Sequence, residues 1–172
     1  MIKRFELANI KRSVARGKSV LLFGPRQVGK TTLIKQLPLD RFINLMDPAT
    51  RLQYEKAPQS FAEEILQMTG KKKPLIAIDE IQKVPNLMDA IQVLIDDQVA
   101  QFVITGSSAR QIKNLLPGRV IRHQLWPCTQ SEYPLKSLEQ LLINGTLPGI
   151  LGLDTQAIVD EDLMSYVSVY LE

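Results

Sequence analysis

Short apolar runs alternate with longer amphipathic ones along the first 125 residues of the chain. The runs Ser19–Phe23, Phe42–Met46, Leu75–Asp79, Phe102–Thr105 and Val120–Leu125 are short and mostly apolar. That is the pattern of strands buried on both faces, hence of a parallel sheet covered by helices. Leu87, Met88, Ile91, Leu94 and Ile95 recur at helical spacing and predict an amphipathic helix over Asn86–Ala100. Lys30–Leu37 reads as a helix that ends before Pro38, because the residue ahead of proline is pushed out of the helical region. Arg51–Glu55 and Phe61–Met68 read as further helices, and Ser108–Leu116 as a short one closed by Pro117-Gly118. Thr129 and Glu132 stand at capping-box spacing and predict a helix from there to about Ile143. A loop marked by Gly and Pro, Gly145–Gly152, follows. Then Leu163, Tyr166, Val167, Tyr170 and Leu171 form an apolar stripe reaching the end of the chain. A stripe that stops without a partner surface leads us to expect a fragment, or a truncated member of something longer.

Composition narrows the class. At 172 residues, 45% hydrophobic and 23% charged, the chain suits one α/β domain with a small appendage. Cys128 is the only cysteine, which excludes an internal disulfide and points to a reducing compartment. His123 is the only histidine, so a His-based zinc site or a Ser-His-Asp centre has almost nothing to build on. No apolar run approaches the roughly 18–20 residues needed to cross a bilayer, and the start, MIKRFELANI, lacks the continuous apolar stretch of a leader peptide. The expectation is a soluble, cytoplasmic protein with no membrane partner. Charge is uneven: residues 1–125 carry 20 Lys/Arg against 11 Asp/Glu, whereas residues 126–172 carry 1 against 7. The change of sign predicts a boundary near Trp126, between a basic core over residues 1–126 and an acidic appendage over 127–172. DNA is one polyanion that the basic part could meet, the nucleotide itself another; most of these charges read as solvated surface, and Trp126 and His123 as core or boundary packing and not as ligands.

The chemistry is concentrated at strand ends. Gly24-Pro25-Arg26-Gln27-Val28-Gly29-Lys30-Thr31 matches the pattern G-x-x-x-x-G-K-[ST], directly after one predicted strand and before a predicted helix. Glycines let consecutive amides turn inward around a phosphate, and the helix start adds partial positive charge. In this pattern Lys30 reaches the β- and γ-phosphates, Thr31 puts its hydroxyl on Mg²⁺, and Thr32 is placed for the α-phosphate. The strand Leu75–Asp79 ends in the pair Asp79-Glu80. Asp79 suits an Mg²⁺ held mostly through water, and Glu80 suits a general base for an attacking water. The adjacent carboxylates count against a small-molecule kinase, where a hydroxyl and not water must attack. At the end of Phe102–Thr105, Thr105 or Ser107 could orient that water; spacing does not choose between them, and either serine nearby could instead cap a helix. Arg119, before the fifth strand, and Arg110 are candidate transition-state arginines, with Arg119 placed to act on a neighbouring subunit. A surface role is an equal reading for both.

These motifs resemble the prokaryotic AAA-type ATPases related to the archaeal ATPase group. The resemblance runs through residues 24–32, Ile-Asp-Glu-Ile-Gln at 78–82, Ile-Thr-Gly-Ser-Ser-Ala-Arg at 104–110 and Leu-Pro-Gly-Arg at 116–119. It continues in Trp-Pro-Cys-Thr-Gln-Ser-Glu-Tyr at 126–133, Gly-Thr-Leu-Pro-Gly at 145–149 and Tyr-Val-Ser-Val-Tyr-Leu-Glu at 166–172. It implies a P-loop fold with sheet order 5-1-4-3-2, a helical lid after the fifth strand, ATP as ligand, and Walker A and Walker B roles for Lys30, Thr31, Asp79 and Glu80. It also implies a further C-terminal domain that this chain lacks. Pro117 and Thr146 depart from the family pattern, away from the phosphate machinery. The function expected is Mg²⁺-dependent ATP hydrolysis coupled to movement of the C-terminal segment, in a chain able to form homo-oligomers. The alternative is a nucleotide-gated DNA- or protein-binding module with negligible turnover.

Overall fold

The computed structural model describes residues 2–68, 70, 73–107, 118–153 and 155–171, except for the side chains of 169–171. The predicted helix over Ser108–Leu116, with Arg110, therefore lies outside the described residues.

Helix α1 (Phe5–Ala15) leads into strand β1 (Ser19–Phe23), and α2 (Lys30–Ile34) follows the glycine-rich turn. Next come β2 (Arg41–Asn44), α3 (Pro48–Lys56), α4 (Pro58–Gln67), β3 (Leu75–Asp79), α5 (Leu87–Asp96) and β4 (Gln101–Gly106). The chain then passes through β5 (Val120–Gln124) to α6 (Leu138–Asn144), α7 (Pro148–Leu151) and α8 (Gln156–Leu171). The strands form one sheet in the order β2-β3-β4-β1-β5, all pairs parallel. This is the order 5-1-4-3-2 read from the other edge. In such a sheet every strand's C-terminal end opens on the same side, so the turns after β1, β3 and β4 meet along one rim.

Period-two alternation divides the core between the two faces. Leu21, Phe23, Ile76, Ile78, Phe102 and Ile104 point toward α4 and α5, where Phe61, Ile65, Leu87 and Ile91 are buried against them. Val20, Leu22, Leu75, Ala77 and Val103 point the other way and meet Ile10, Leu33 and Ile34. Leu147, Ile150 and Val159 join this second cluster, with Leu163 and Tyr166 packed against it. The C-terminal helices thus cover the face that carries α2. Val167 of the predicted stripe is 47% exposed.

Element ends differ from the sequence reading for local reasons. Strand β2 stops at Asn44 because the Asn44 side chain accepts the Met46 amide at 3.0 Å. Asp47 then caps α3 through the Thr50 amide, with Pro48 in the first turn where its missing N–H is no loss. Helix α5 is shorter than predicted; it ends at Asp96, and Gln98 turns the chain out with φ 57°. The largest correction concerns Thr129. Its hydroxyl accepts the Glu132 amide at 3.3 Å, and Glu132 Oε2 accepts the Thr129 amide at 3.0 Å. That box forms, yet only a turn follows, since Pro134 cannot continue a helix. The helix begins instead at a second box, Ser137 with Gln140.

Two packing expectations resolve differently. Trp126 is 59% exposed and is no core residue. His123 does pack, with Nδ1 2.5 Å from Glu6 Oε1 and Nε2 3.0 Å from Ser13 Oγ, so it latches α1 to the edge strand.

Candidate phosphate-binding site

The turn Gly24–Gly29 leaves β1 at the C-terminal rim of the sheet. A Cβ on Gly24 would lie 2.2 Å from the Leu125 carbonyl oxygen, so the close approach of this turn to the end of β5 requires glycine. Gly29 has φ 90° and Gln27 φ 62°, the left-handed conformations that curl the backbone into a loop. Val28 is fully buried and anchors the loop in the second core cluster. Pro25, Arg26 and Thr32 sit half-buried or exposed around the opening.

Lys30 is 4% exposed and lies across the mouth of this loop. Its ammonium donates to the carbonyls of Gly24 at 3.0 Å and Pro25 at 2.8 Å, and Glu80 Oε1 is 3.8 Å away. Burial lowers its pKa from the ordinary lysine value; the carboxylates of Glu80 and Asp79 pull it back up, and Arg26 pushes it down.

One residue on, the Thr31 hydroxyl donates to Asp79 Oδ2 at 2.6 Å. Asp79 closes β3 and is 2% exposed. Its other oxygen accepts the Thr105 hydroxyl, and that hydroxyl accepts the Glu80 amide at 3.0 Å. Thr105 is wholly buried in β4. It therefore fixes both acidic residues from beneath. Glu80 adopts φ 59°, a conformation costly for a non-glycine residue that turns its side chain back toward Lys30.

Two residues absent from the sequence-derived site belong to this constellation. The Gln82 amide donates to Glu80 Oε2 and, at 3.0 Å, to Ser107 Oγ. In the sequence it closes the motif Ile-Asp-Glu-Ile-Gln at 78–82, where nothing gave it a role of its own. Arg4 is buried and donates to the Val28 carbonyl of the loop at 2.8 Å, to the Trp126 carbonyl, and to Glu132 at 3.1 Å. In the sequence it is one of many N-terminal basic residues.

Arg119 is the predicted site residue that the structure does not bring to the loop. It precedes Val120, which pairs with Ser19 at the start of β1, so it sits at the opposite rim. There it grips Asp96 in a two-pronged pair at 2.7 and 2.8 Å.

The arrangement can hold a polyphosphate. The loop offers backbone amides and a buried cation, while Thr31 and Asp79 supply the few hard oxygen ligands that suit Mg²⁺, an ion that keeps much of its water. Among the described residues no group of three or more His, Cys, Asp or Glu side chains could hold a metal by itself. A cavity of about 190 Å³ adjoins the loop and is lined by Ile2, Val28, Thr32, Leu33, Gln36 and Pro148 among others. A second, of about 410 Å³, lies between Arg26 and Gln27 of the loop and Asp162, Ser165 and Tyr166 of α8.

Comparison with known proteins adds to this geometry. A family described as "AAA domain" matches residues 16–134, more than half of the chain. Two uncharacterized proteins, from Mycobacterium bovis and Mycobacterium tuberculosis, are each 32% identical over 154 residues, covering 85% of this chain and 33% of theirs. The chain thus spans about a third of the length of these relatives. Among solved structures, C. elegans PCH-2 aligns with a TM-score of 0.49 at 18% identity, over 70% of this chain and 39% of that one. A Pif1 helicase from a structure of DNA unwinding at forked dsDNA aligns at 0.47 and 15%, over 88% and 48%. Among the described residues no helix is long and apolar enough to cross a membrane.

Proposed function

The chain belongs to the AAA domain family, and from that premise we propose that it binds ATP with Mg²⁺ at the Gly24–Thr32 loop and hydrolyses it. The observation that carries this reading is the convergence of Lys30, Thr31, Asp79 and Glu80, from two different elements, on one rim of the sheet. Lys30 is held by two loop carbonyls and by a long ion pair to Glu80 at 3.8 Å, contacts that an incoming phosphate can replace.

In the proposed cycle Lys30 exchanges the Gly24 and Pro25 carbonyls for β- and γ-phosphate oxygens, while loop amides take the β-phosphate. Mg²⁺, held by Thr31 and through water by Asp79, would neutralise phosphate charge. Glu80 accepts a proton from a water whose oxygen bonds to the γ-phosphorus as the bond to the ADP oxygen breaks. Thr105 works through Asp79 and Glu80, since its hydroxyl is engaged by both. Arg119 acts on the γ-phosphate of a neighbouring subunit in a homo-oligomer, because its own loop is at the far rim. The apolar cavity beside Thr32 receives the base, and adenine is the base the family resemblance implies.

We also propose a cytoplasmic setting and a place near the archaeal ATPase group, whose members usually continue into a further domain. The same reading couples the cycle to the segment 127–172 as a lid. Support comes from Leu147, Ile150 and Tyr166, which pack on the face carrying the loop, and from the cavity between the loop and α8. What the movement drives, on DNA or on a protein, is a property of the whole protein.

A single-turnover experiment tests the reading. With Mg²⁺ and limiting labelled ATP, wild-type protein is expected to hold ADP after one turnover, whereas Glu80→Gln holds ATP, with hydrolysis slowed by roughly 100-fold or more. ATP retained unchanged by both proteins would leave a nucleotide-gated binding module.

A further inference from the structure

Glu80 meets three partners, and the proposed cycle accounts for two of them. Its amide is held by Thr105, and its Oε1 faces Lys30. The third contact is made by Gln82, whose side-chain nitrogen donates to Glu80 Oε2 and also, at 3.0 Å, to Ser107 Oγ. Both donors of that amide are thereby engaged, one on the carboxylate and one on the loop after β4. The orientation of the amide follows from charge: reversed, it would set its carbonyl oxygen against a carboxylate.

What this leaves behind is telling. Gln82 Oε1 is buried and has no hydrogen-bond donor, the only such side-chain atom among the described residues. A buried acceptor without a partner costs free energy, so a glutamine there for packing alone would be poorly chosen. A methionine would fill the same space without that penalty. The residue sits on the single 3-10 turn Ile81–Lys83 that follows Glu80, and this turn starts from the left-handed conformation of Glu80 itself. Strain, an orphaned acceptor and a two-way donor thus occur within three residues. Together they make sense if the amide is there to hold the carboxylate.

We infer that Gln82 is the positioning residue of Glu80: its amide clamps the carboxylate to Ser107 at the end of β4 and keeps it aimed across the phosphate-binding loop. The effect on rate rests on the hydrolytic reading above; the clamp itself does not. Thr105 fixes the backbone of Glu80 and Gln82 fixes its side chain, so the general base is held at both ends. Ser107 acts as the anchor of the clamp. A small displacement of a general base from its water costs orders of magnitude in rate, whereas nucleotide affinity, set by the loop and Lys30, is left alone.

The test has two arms. In the first, the side-chain amide protons of Gln82 are assigned by their loss in Gln82→Ala and followed by NMR without nucleotide. The clamp predicts a shifted, slowly exchanging pair that moves toward the position of a free amide in Glu80→Ala. A pair already at the free position in the wild type, and unmoved in Glu80→Ala, overturns the inference whether or not the chain hydrolyses ATP. In the second arm, Gln82→Ala and Gln82→Met are expected to lower kcat by roughly 10- to 100-fold with KM for ATP changed by less than about twofold. A Met variant with wild-type kcat would reduce Gln82 to packing and overturn the inference. A wild type that binds ATP without turnover overturns the proposed function instead, and the first arm still judges the clamp.

Discussion

Lys30 illustrates how a buried cation is held at a cost in stability. Its ammonium is buried, and burial draws its pKa below the ordinary 10.5. For a base whose folded value is depressed, the unfolded chain holds the proton more tightly. The penalty is therefore full at pH values below the folded pKa and disappears as pH rises toward 10.5. Lys30→Met is expected to be the more stable protein at pH 7 in the absence of nucleotide, and to bind ATP far more weakly. In urea denaturation its stability advantage should narrow between pH 7 and pH 10; an advantage that widens over that range would contradict the assignment. Lys30, Thr31, Asp79 and Glu80 were legible in the sequence because their chemistry depends on spacing along a strand–turn–helix or a strand end. Gln82 and Arg4 were not, because the partners that define them, Ser107, Val28 and Glu132, are brought close only by the fold.

Among the elements, strands were easier to read than helices beyond β5. A five-residue strand buried on both faces has no other way to appear in sequence than as an apolar run, and β1 and β3 match theirs end to end. The segment after Gln124 misled because two capping boxes compete, Thr129 with Glu132 and Ser137 with Gln140, and Pro134 decides for the second. The first box is used for something else. Burial alone would raise the pKa of Glu132, but the amides of Thr129 and Phe5 and the Arg4 guanidinium outweigh it and hold the carboxyl below its ordinary value. Arg4 in turn grips the phosphate loop at Val28. This brace ties α1, the loop and the start of the C-terminal segment together. A carboxylate with a depressed folded pKa contributes stability that is present above the ordinary 4.5 and lost as pH falls through the lower folded value. Glu132→Gln is expected to cost roughly 3 kcal/mol at neutral pH, since it leaves Arg4 without its partner. In urea denaturation its deficit against wild type should shrink below about pH 4.5; a deficit constant with pH would argue against the brace.

At the scale of the molecule, the sheet sorts the chemistry by rim. The Gly24–Thr32 loop and the acidic pair occupy the C-terminal rim, and Arg119 occupies the other, paired with Asp96. An arginine so placed serves hydrolysis only by reaching a second subunit, so assembly and turnover are linked in this account. The most direct measurement is the rate of phosphate release per subunit across a wide range of protein concentration, with Mg²⁺ or with chelator, and with Glu80→Gln alongside. The account predicts release that requires Mg²⁺, is lost in Glu80→Gln, and climbs with concentration in the wild type but not in Arg119→Ala. Release at the level of Glu80→Gln at every concentration, from protein that demonstrably holds ATP, would contradict it.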